Sequence, residues 1–160
     1  MPASSETPER EAQLSKFICF AVYSANLAFG RAYKPLLDEL GLTYTQYIAL
    51  VALADEDDVT VGALGEKLFL ESNTLTPILK KLETLGYLER RRDPADERQV
   101  RLRLLPAGRE LAASDPGAAL VDATGLGPDF VKVQQDVARL RDNLLRHAKN
   151  ADGEQTAGGA

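Results

Sequence analysis

The chain of 160 residues is 44% hydrophobic and carries a formal net charge of −5, which fits one domain with a single core. No apolar run approaches the roughly 20 residues that span a bilayer, and the N-terminus has no hydrophobic signal core, so the sequence predicts a cytoplasmic protein that does not interact with membranes. The single cysteine and single histidine exclude an internal disulfide and a Cys/His zinc site, and we expect neither a metal nor a cofactor.

The first part of the chain is predicted to contain a long helix. Residues 1–13, rich in Ser, Pro and Glu, are expected to form a disordered tail. Dense apolar residues from Leu14 to Tyr33 predict a mostly buried helix. Pro35 should kink or end this helix because proline lacks an amide hydrogen, and a further helical turn, PLLDEL, should stop at Gly41.

Three shorter helices are predicted next. Thr45 is the expected N-cap of the helix TQYIALVALAD, which ends at the acidic turn Asp55 to Asp58. Thr60 should begin the helix VGALGEKLFL. The third helix lies in SNTLTPILKKLETLGYL, and its start is either Thr76 or Ser72, one turn earlier.

After these helices the pattern changes to alternation. In QVRLRLL the apolar residues point to one side and the arginines to the other, which is typical of a half-buried strand. The predicted partner strand is YLERRR, and DPADER is the turn between them. Together these segments predict a two-stranded hairpin with a charged tip.

Helices return at the C-terminus. The segment AGRELAA after Pro106 predicts a short helix, and an amphipathic helix is expected from about Pro128 to His147. The imidazole of His147 lies in the last turn, where it complements the helix dipole. Residues 151–160 have nothing to bury and are expected to be disordered.

The order of three helices and a hairpin predicts a winged helix-turn-helix. The fold class is mainly α with a small β-hairpin, in which a DNA-binding domain at residues 45–106 is flanked by helices at residues 14–44 and 107–150. The apolar stripe of the flanking helices exceeds what a small single core can cover, which indicates that they form a dimer interface. We therefore expect a homodimer.

Positive charge is concentrated in the hairpin. Six arginines and three acidic residues between Arg90 and Arg103 give a local charge of +3, which favours contact with a polyanion. Surface hairpins also carry charge for solubility, but here a helix with an exposed polar start precedes the hairpin, as in readers of double-stranded DNA. The candidate DNA-binding residues are Ser72, Asn73, Thr74, Thr76, Lys80, Lys81, Arg90, Arg91, Arg92, Asp96 and Arg98.

Within this set, Arg98 is the candidate for the DNA minor groove, where the negative potential attracts arginine. Asp96 can hold the guanidinium of Arg98 through paired hydrogen bonds; the alternative is an ordinary turn aspartate. The stretch DERQVRLRLLPAG, Asp96 to Gly108, resembles the wing motif of the MarR family, with Pro106 where that family commonly has threonine. The resemblance covers most of the chain, implies a homodimeric winged-helix repressor and favours Ser72 as the start of the recognition helix.

The single cysteine shares a helix face with two tyrosines. At about 100° per residue, Tyr23 and Tyr33 both lie within roughly 40° of Cys19. Tyr33 is about 21 Å along the helix axis from Cys19, so its phenol reaches a thiol only if that thiol belongs to a second, antiparallel chain. The alternative is that Cys19 is a small buried hydrophobe and that the tyrosines pack near the helix ends.

Cys-x3-Tyr followed by Tyr-Lys-Pro-Leu-Leu, here Cys19, Tyr23 and Tyr33 to Leu37, resembles the OhrR organic hydroperoxide sensors within the MarR family. LTYTQYIALVAL and SNTLTPILKKLE are similar to that subgroup as well. The resemblance implies that organic hydroperoxides oxidise Cys19, and that Tyr23 and Tyr33 of the partner subunit hydrogen-bond to its sulfur. Because the chain has no second cysteine, it resembles the one-cysteine subgroup, in which a low-molecular-weight thiol or a backbone nitrogen caps the oxidised sulfur, or oxidation continues.

The sequence therefore predicts a repressor that binds operator DNA when Cys19 is reduced and is released when Cys19 is oxidised. One alternative is a MarR-type repressor that responds to a small aromatic ligand, with Cys19 incidental. Another is an enzyme, a thiol peroxidase that uses Cys19. We do not expect an enzyme, because the sequence contains no resolving cysteine and no evident acid-base set.

Overall fold

The computed structural model of the protein describes residues 14 and 16–157. The helices are α1 (Ile18–Leu40), α2 (Tyr44–Asp55), α3 (Val61–Leu68), α4 (Ser72–Thr84), α5 (Pro106–Ala113), α6 (Ala118–Ala123) and α7 (Phe130–Ala157). The strands are β1 (Val59–Thr60), β2 (Leu88–Arg92) and β3 (Val100–Leu104). The chain divides into two compact units after Pro116. Among the described helices, none is long and apolar enough to cross a membrane.

Helix α1 runs through Pro35 to Leu40, so the predicted end of the helix at this residue is wrong. Pro35 cannot donate to the carbonyl of Arg31, but both residues are exposed, and water can satisfy that carbonyl. The helix is held to the core beyond the proline by Leu37, which is 2% exposed. It ends at Gly41 in the left-handed conformation, as predicted.

The N-terminal half of α1 is exposed in the single chain, so the core of this chain does not bury it. The helix begins at Ile18 rather than Leu14, because Phe17 has an extended backbone. Its large apolar side chains pack on no core element and are 38% to 65% exposed; they are Phe17, Ile18, Phe20, Val22, Tyr23, Leu27 and Phe29. These side chains follow a helical spacing, but the hydrophobic core of the first unit does not cover them.

Helix α2 is capped by Thr43, so the predicted cap Thr45 is wrong. The Oγ1 of Thr43 accepts a hydrogen bond from the amide of Gln46 (3.3 Å), and Oε1 of Gln46 accepts one from the amide of Thr43 (2.9 Å). This reciprocal capping box needs Glu or Gln three residues after the cap. Thr43 has Gln46 in that place, whereas Thr45 has Ile48.

Helices α3 and α4 form the helix-turn-helix. Thr60 caps α3 as predicted, with its Oγ1 accepting a hydrogen bond from the amide of Ala63 at 3.1 Å. Phe69 turns the chain out of α3 in the left-handed conformation, at φ 58°. Helix α4 begins at Ser72 rather than Thr76, with its proline inside the helix, so the earlier of the two predicted starts is confirmed.

The wing is part of a three-stranded antiparallel sheet with the order β1-β3-β2, so the predicted two-stranded hairpin was incomplete. Strands β2 and β3 pair along their full length, with Leu88 opposite Leu104. Strand β1 pairs Val59 with Leu102. A strand of two residues has no readable alternation, yet it joins the segment between α2 and α3 to the wing.

The hydrophobic core lies within the helix-turn-helix and the sheet. The largest side chains with less than 2% exposure are all leucines: Leu50, Leu53, Leu64, Leu75, Leu79, Leu82, Leu88 and Leu102. They come from α2, α3, α4, β2 and β3. Because the recognition helix and the wing share one core, the angle between them is fixed by packing.

The second unit differs from the prediction in its helix boundaries. Helix α6 forms where no helix was predicted, and a 3-10 turn at Gly127–Asp129 follows it. Helix α7 continues beyond His147, so the predicted disorder of residues 151–157 is wrong. Extending a formed helix avoids the cost of nucleation, and no proline interrupts this stretch. Residues 158–160 and the predicted tail at 1–13 lie outside the described residues.

Gly108 in α5 marks a very close approach to the wing. A Cβ at this position would lie 2.2 Å from the carbonyl oxygen of Tyr87, which accepts a hydrogen bond from the amide of Leu105 (3.0 Å) and is therefore not free to move. We expect Gly108→Ala to lower the free energy of unfolding by about 3 kcal/mol, measured by urea denaturation.

The matched control for this substitution is Gly62→Ala in α3. The nearest atom to a Cβ there is 3.9 Å away, so alanine should stabilise the helix by up to about 1 kcal/mol. Equal stability of Gly108→Ala and the wild type would contradict the described packing of α5 against the residues that precede β2.

Candidate DNA interface and redox site

Helix α4 presents a polar face to solvent and an apolar face to the core. Leu75, Leu79 and Leu82 are buried on the inner side. No side chain caps the N-terminus of the helix, so the amides of Ser72 and Asn73 are open to phosphate oxygens. All six predicted DNA-binding residues of α4 are exposed: Ser72, Asn73, Thr74, Thr76, Lys80 and Lys81.

The tip of the wing holds Arg98 in an extended, exposed position. Its side chain is 93% exposed. Asp96 Oδ1 accepts hydrogen bonds from the Arg98 amide (3.1 Å) and from Arg98 Nε (3.2 Å), rather than from two nitrogens of the guanidinium fork. The Arg98 amide, then the Arg98 side chain and Gln99, lower the pKa of Asp96, so the aspartate stays ionised as it positions the arginine.

Arg90 differs from the other predicted wing arginines because it faces inward. Glu83 at the end of α4 accepts hydrogen bonds from the Arg90 amide (2.9 Å) and Nε (2.8 Å). The Arg90 side chain is the first cause of the lowered pKa of Glu83. Arg91 and Arg92 are exposed. The structure thus places Arg90 between the recognition helix and the wing, and Arg91 and Arg92 on the surface.

The acidic turn after α2 anchors the wing. Asp57 Oδ1 accepts a hydrogen bond from the amide of Leu104 (2.8 Å), and its other oxygen pairs with Arg109. Arg101 joins two further carboxylates, with Nε at 3.0 Å from Asp58 and Nη1 at 3.1 Å from Asp93. The sequence analysis noted the acidic turn but missed this network, because the charges that meet are distant in sequence.

Cys19 and Tyr23 lie on the exposed half of α1. The thiol of Cys19 is exposed. Tyr23 is 59% exposed, and its ring lies 6.5 Å from that of Phe20. Because Cys19 and Tyr33 belong to one continuous helix, their separation of about 21 Å along the axis holds, and Tyr33 cannot reach the sulfur of its own chain.

Tyr33 belongs to an aromatic cluster that the sequence analysis missed. Its ring centroid lies 4.9 Å from that of Tyr44 and 6.1 Å from that of Tyr47, the first and fourth residues of α2. Burial raises the pKa of Tyr33, with Tyr44 and Asp115 adding to the effect. Burial and Asp115 also raise the pKa of Tyr47 to about 12. These hydroxyls therefore keep their protons at neutral pH and remain hydrogen-bond donors.

Within the part of the chain that the structure describes, no group of three or more His, Cys, Asp or Glu side chains is arranged to hold a metal ion. The chemistry available at this site is that of one thiol and several phenols. The chemistry available at α4 and the wing is that of hydroxyl, amide, ammonium and guanidinium donors. These donors suit a polyanion with base edges in a groove.

Comparison with known proteins identifies the family. Residues 31–114 match the family described as transcriptional regulator SarA/Rot. The chain is 42% identical over 150 residues to the HTH-type transcriptional regulator TtmR of Methylorubrum extorquens, covering 92% of this chain and 76% of that protein. It is 38% identical over 141 residues to the organic hydroperoxide resistance transcriptional regulator of Bacillus subtilis, covering 86% and 95%. The chain is a MarR-family transcriptional regulator of the OhrR type.

Solved structures of MarR-family proteins have the same fold. Overoxidized AbfR bound to DNA superposes with a TM-score of 0.67 at 30% identity, covering 86% of this chain and 99% of that one. Reduced AbfR bound to DNA gives a TM-score of 0.63 at 31% identity, covering 82% and 98%; AbfR comes from Staphylococcus epidermidis. The prediction of a winged helix-turn-helix built mainly of helices is therefore confirmed.

Asp57 gives this MarR-family regulator a testable dependence on pH. Burial alone would raise the pKa of the Asp57 carboxyl, but hydrogen bonds from the Leu104 amide and Arg109 outweigh it and lower the pKa. The ionised carboxyl therefore stabilises the fold above the ordinary pKa of an aspartate, about 4, and this contribution is lost as the pH falls through the lowered folded-state value.

We expect Asp57→Asn to lower the free energy of unfolding by about 1 kcal/mol at pH 7, because the asparagine keeps an acceptor for the amide but loses the charge that faces Arg109. The difference from the wild type should shrink at pH 3, because the stability that the ionised carboxyl contributes begins to fall once the pH is below the ordinary pKa of an aspartate, about 4. Urea unfolding at both pH values measures it, with Asp122→Asn on the exposed surface of α6 as the control. An equal loss at both pH values would count against an ionic role.

Proposed function

We propose that the protein is a homodimeric repressor that binds operator DNA while Cys19 is reduced and releases it when an organic hydroperoxide oxidises Cys19. The observation that carries this proposal is the position of the one thiol. Cys19 is exposed on a helix whose far end, through Tyr33, packs on α2, the helix that precedes the helix-turn-helix. The relative from Bacillus subtilis, named for organic hydroperoxide resistance, supports the same function.

The DNA-binding part of the proposal is supported by the surface of α4 and the wing. Exposed hydroxyl and amide groups at the start of α4 suit base edges in the major groove, and Lys80 and Lys81 suit phosphates. Arg98 at the wing tip suits the minor groove. AbfR, a relative with the same fold, is bound to DNA in both solved forms described above.

The dimer is supported by the open apolar face of α1. A contiguous exposed apolar surface of this kind marks an interaction site. Within one chain, Cys19 and Tyr33 are about 21 Å apart along the axis of α1. A two-fold axis that sets two copies of α1 antiparallel and crosses them between these residues would place the Tyr33 hydroxyl of one chain beside the Cys19 sulfur of the other. The redox site is then shared between two subunits, and neither chain contains a complete one.

The chemistry of the proposed sensor is a single two-electron oxidation. The Cys19 thiolate attacks the outer oxygen of the hydroperoxide, the O–O bond breaks, and the sulfur becomes a sulfenic acid while the alcohol leaves with one proton. Tyr23 and Tyr33 hydroxyls donate hydrogen bonds that favour the thiolate. The exposed apolar side chains around Cys19 favour alkyl hydroperoxides over hydrogen peroxide.

Release of DNA follows from the dimer geometry. Two recognition helices must lie about 34 Å apart to enter successive major grooves, so a small rotation of the subunits separates one helix from its groove. The chain has one cysteine, so an internal disulfide is excluded. We therefore propose that a low-molecular-weight thiol condenses with the sulfenic acid, releases water, and leaves a bulky mixed disulfide at the interface.

The first test is operator binding by the wild type and Cys19→Ser. A duplex selected by the reduced protein from a random-sequence pool serves as the probe, and fluorescence anisotropy measures its affinity. Cumene hydroperoxide with a small thiol should weaken wild-type binding more than tenfold and leave the serine variant unchanged, because serine is not oxidised under these conditions.

Loss of DNA binding by oxidised Cys19→Ser would remove Cys19 from the mechanism. Release by a phenolic ligand without peroxide would instead favour the aromatic-ligand hypothesis. Consumption of many equivalents of hydroperoxide per Cys19 with a reductant present would favour the enzyme hypothesis.

The second test isolates the Tyr33 hydroxyl. Tyr33→Phe keeps the ring that packs on Tyr44 but removes the donor, so oxidation of Cys19 should slow by about tenfold if one hydrogen bond to the thiolate is lost. Stopped-flow kinetics of thiol loss under cumene hydroperoxide measures the rate. Tyr87→Phe, a half-buried tyrosine before β2, is the control, and equal rates for both variants would exclude a role for the Tyr33 hydroxyl.

A further inference from the structure

An ion pair between Glu83 and Arg90 joins the last turn of the recognition helix α4 to strand β2. Glu83 Oε1 accepts a hydrogen bond from the main-chain amide of Arg90 (2.9 Å), and Glu83 Oε2 accepts one from Arg90 Nε (2.8 Å). Arg90 Nη2 also lies 2.8 Å from Oε2. One carboxylate therefore holds both the backbone and the guanidinium of a single residue. Several charge-assisted hydrogen bonds to one carboxylate fix the geometry of a contact as well as strengthening it.

This ion pair is more shielded from water than an ordinary surface pair. The side chains of Arg90 and Glu83 are 28% and 35% exposed, whereas pairs in full contact with solvent contribute little. Strand β2 lies at the edge of the sheet, where outward main-chain amides have no neighbouring strand. The Arg90 amide is one of these, and the Glu83 carboxylate accepts its hydrogen bond. The sheet edge is thus tied to α4.

The ion pair lies where the hairpin leaves the hydrophobic core. Leu88 and Leu102 are buried at the base of the hairpin, but Arg92, at the end of β2, is exposed. Core packing therefore fixes the base of the hairpin and does not reach its outer half. The outer half is held by polar contacts, and the ion pair connects it to the recognition helix.

We propose that Glu83 and Arg90 are positioning residues for DNA binding, which hold the outer half of the wing at a fixed angle to α4. The inference rests on the proposed function of the protein as a DNA-binding repressor. The polar start of α4 and the tip residue Arg98 must meet different grooves of one duplex at the same time. A wing that is already ordered loses less conformational entropy on binding. Arg90, which the sequence predicts to contact DNA, acts instead within the protein.

The first test is the sign of the effect of Glu83→Gln on the affinity for the selected duplex, measured by fluorescence anisotropy. Glutamine keeps the shape of the side chain and an acceptor for the Arg90 amide, but it removes a negative charge close to the surface proposed to face DNA. Electrostatics alone would therefore strengthen binding to a polyanion. Loss of positioning should instead weaken binding roughly fivefold, because the wing must then be ordered as it binds.

The matched control is Glu89→Gln. It removes the same charge from β2, where Glu89 pairs within its own strand with Arg91 at 2.8 Å. This variant should bind the duplex at least as tightly as the wild type. Urea denaturation of each variant establishes that the protein is folded under the conditions of the binding assay, so that a loss of stability is not counted as a loss of affinity.

The second test separates positioning from a phosphate contact by Arg90. Each phosphate contact contributes about 0.9 to the slope of log Kobs against log salt concentration. Arg90→Gln should weaken binding as much as Glu83→Gln does and should change this slope by much less than one contact would. Because the two side chains act through one ion pair, the double variant should bind no more weakly than either single variant.

Folded Glu83→Gln that binds the duplex as tightly as the wild type, or more tightly, would overturn the inference. A slope for Arg90→Gln that is shallower by about 0.9, or additive losses in the double variant, would overturn it as well. If Glu83→Gln binds like the wild type and still releases the duplex when Cys19 is oxidised, the proposed function survives without the positioning pair. Failure of the wild type to bind any duplex overturns the proposed function itself.

Discussion

The orientation of the DNA-facing surfaces depends on the contact between the acidic turn after α2 and the wing. Arg101 bridges Asp58 and Asp93, and Asp57 accepts the amide of Leu104 beside its ion pair with Arg109. Asp58, which contacts Arg101, is in the left-handed conformation at φ 57°, which aspartate tolerates better than most residues. Strand β1 follows this turn directly and pairs with β3. The turn is therefore joined to the wing by main-chain hydrogen bonds as well as by ion pairs.

This anchoring limits how a signal can act on the protein. The recognition helix and the wing share one leucine core, and the pair of Glu83 with Arg90 joins them again at the end of α4. A wing that moved alone would break both the core and these ion pairs, so independent movement of the wing is unfavourable. Under the proposed function, oxidation therefore acts by moving whole DNA-binding units relative to each other.

The sequence was sufficient where local pattern alone determines structure. The apolar stripe of α4, the Thr60 cap and the alternation in β3 were predicted because each depends on near neighbours in the chain. The cap of α2 is also a local feature, because Gln46 completes a capping box with Thr43 and not with Thr45. Helix α1 continues past Pro35 because the freed carbonyl faces water and Leu37 anchors the helix beyond it.

The candidate site was less accessible to sequence reasoning because its parts come together only in three dimensions. Asp57, Asp58 and Arg101 were visible as charges, but which carboxylate meets which guanidinium depends on the β1–β3 pairing. The surface that covers α1 is hidden from the sequence for a related reason. Helical periodicity shows that one face is apolar, and it does not show whether the covering surface belongs to the same chain.

The two ends of α1 have different environments, and under the proposed function this difference lets one helix join the thiol to a DNA-binding unit. Cys19 lies on the part of α1 that the core of its own chain leaves uncovered. Tyr33 packs on Tyr44 and on Tyr47, which is 4% exposed, and α2 in turn packs on α3 and α5. Under the proposed function, the Tyr33 hydroxyl of one chain hydrogen-bonds to the Cys19 thiol of the other. Loss of this hydrogen bond acts directly on α2 of the chain that provides Tyr33, and α2 supports the recognition helix of that chain. The hydroxyl that contacts the thiol and the ring that packs on α2 both belong to Tyr33, so a change at Cys19 reaches α2 without passing through other residues.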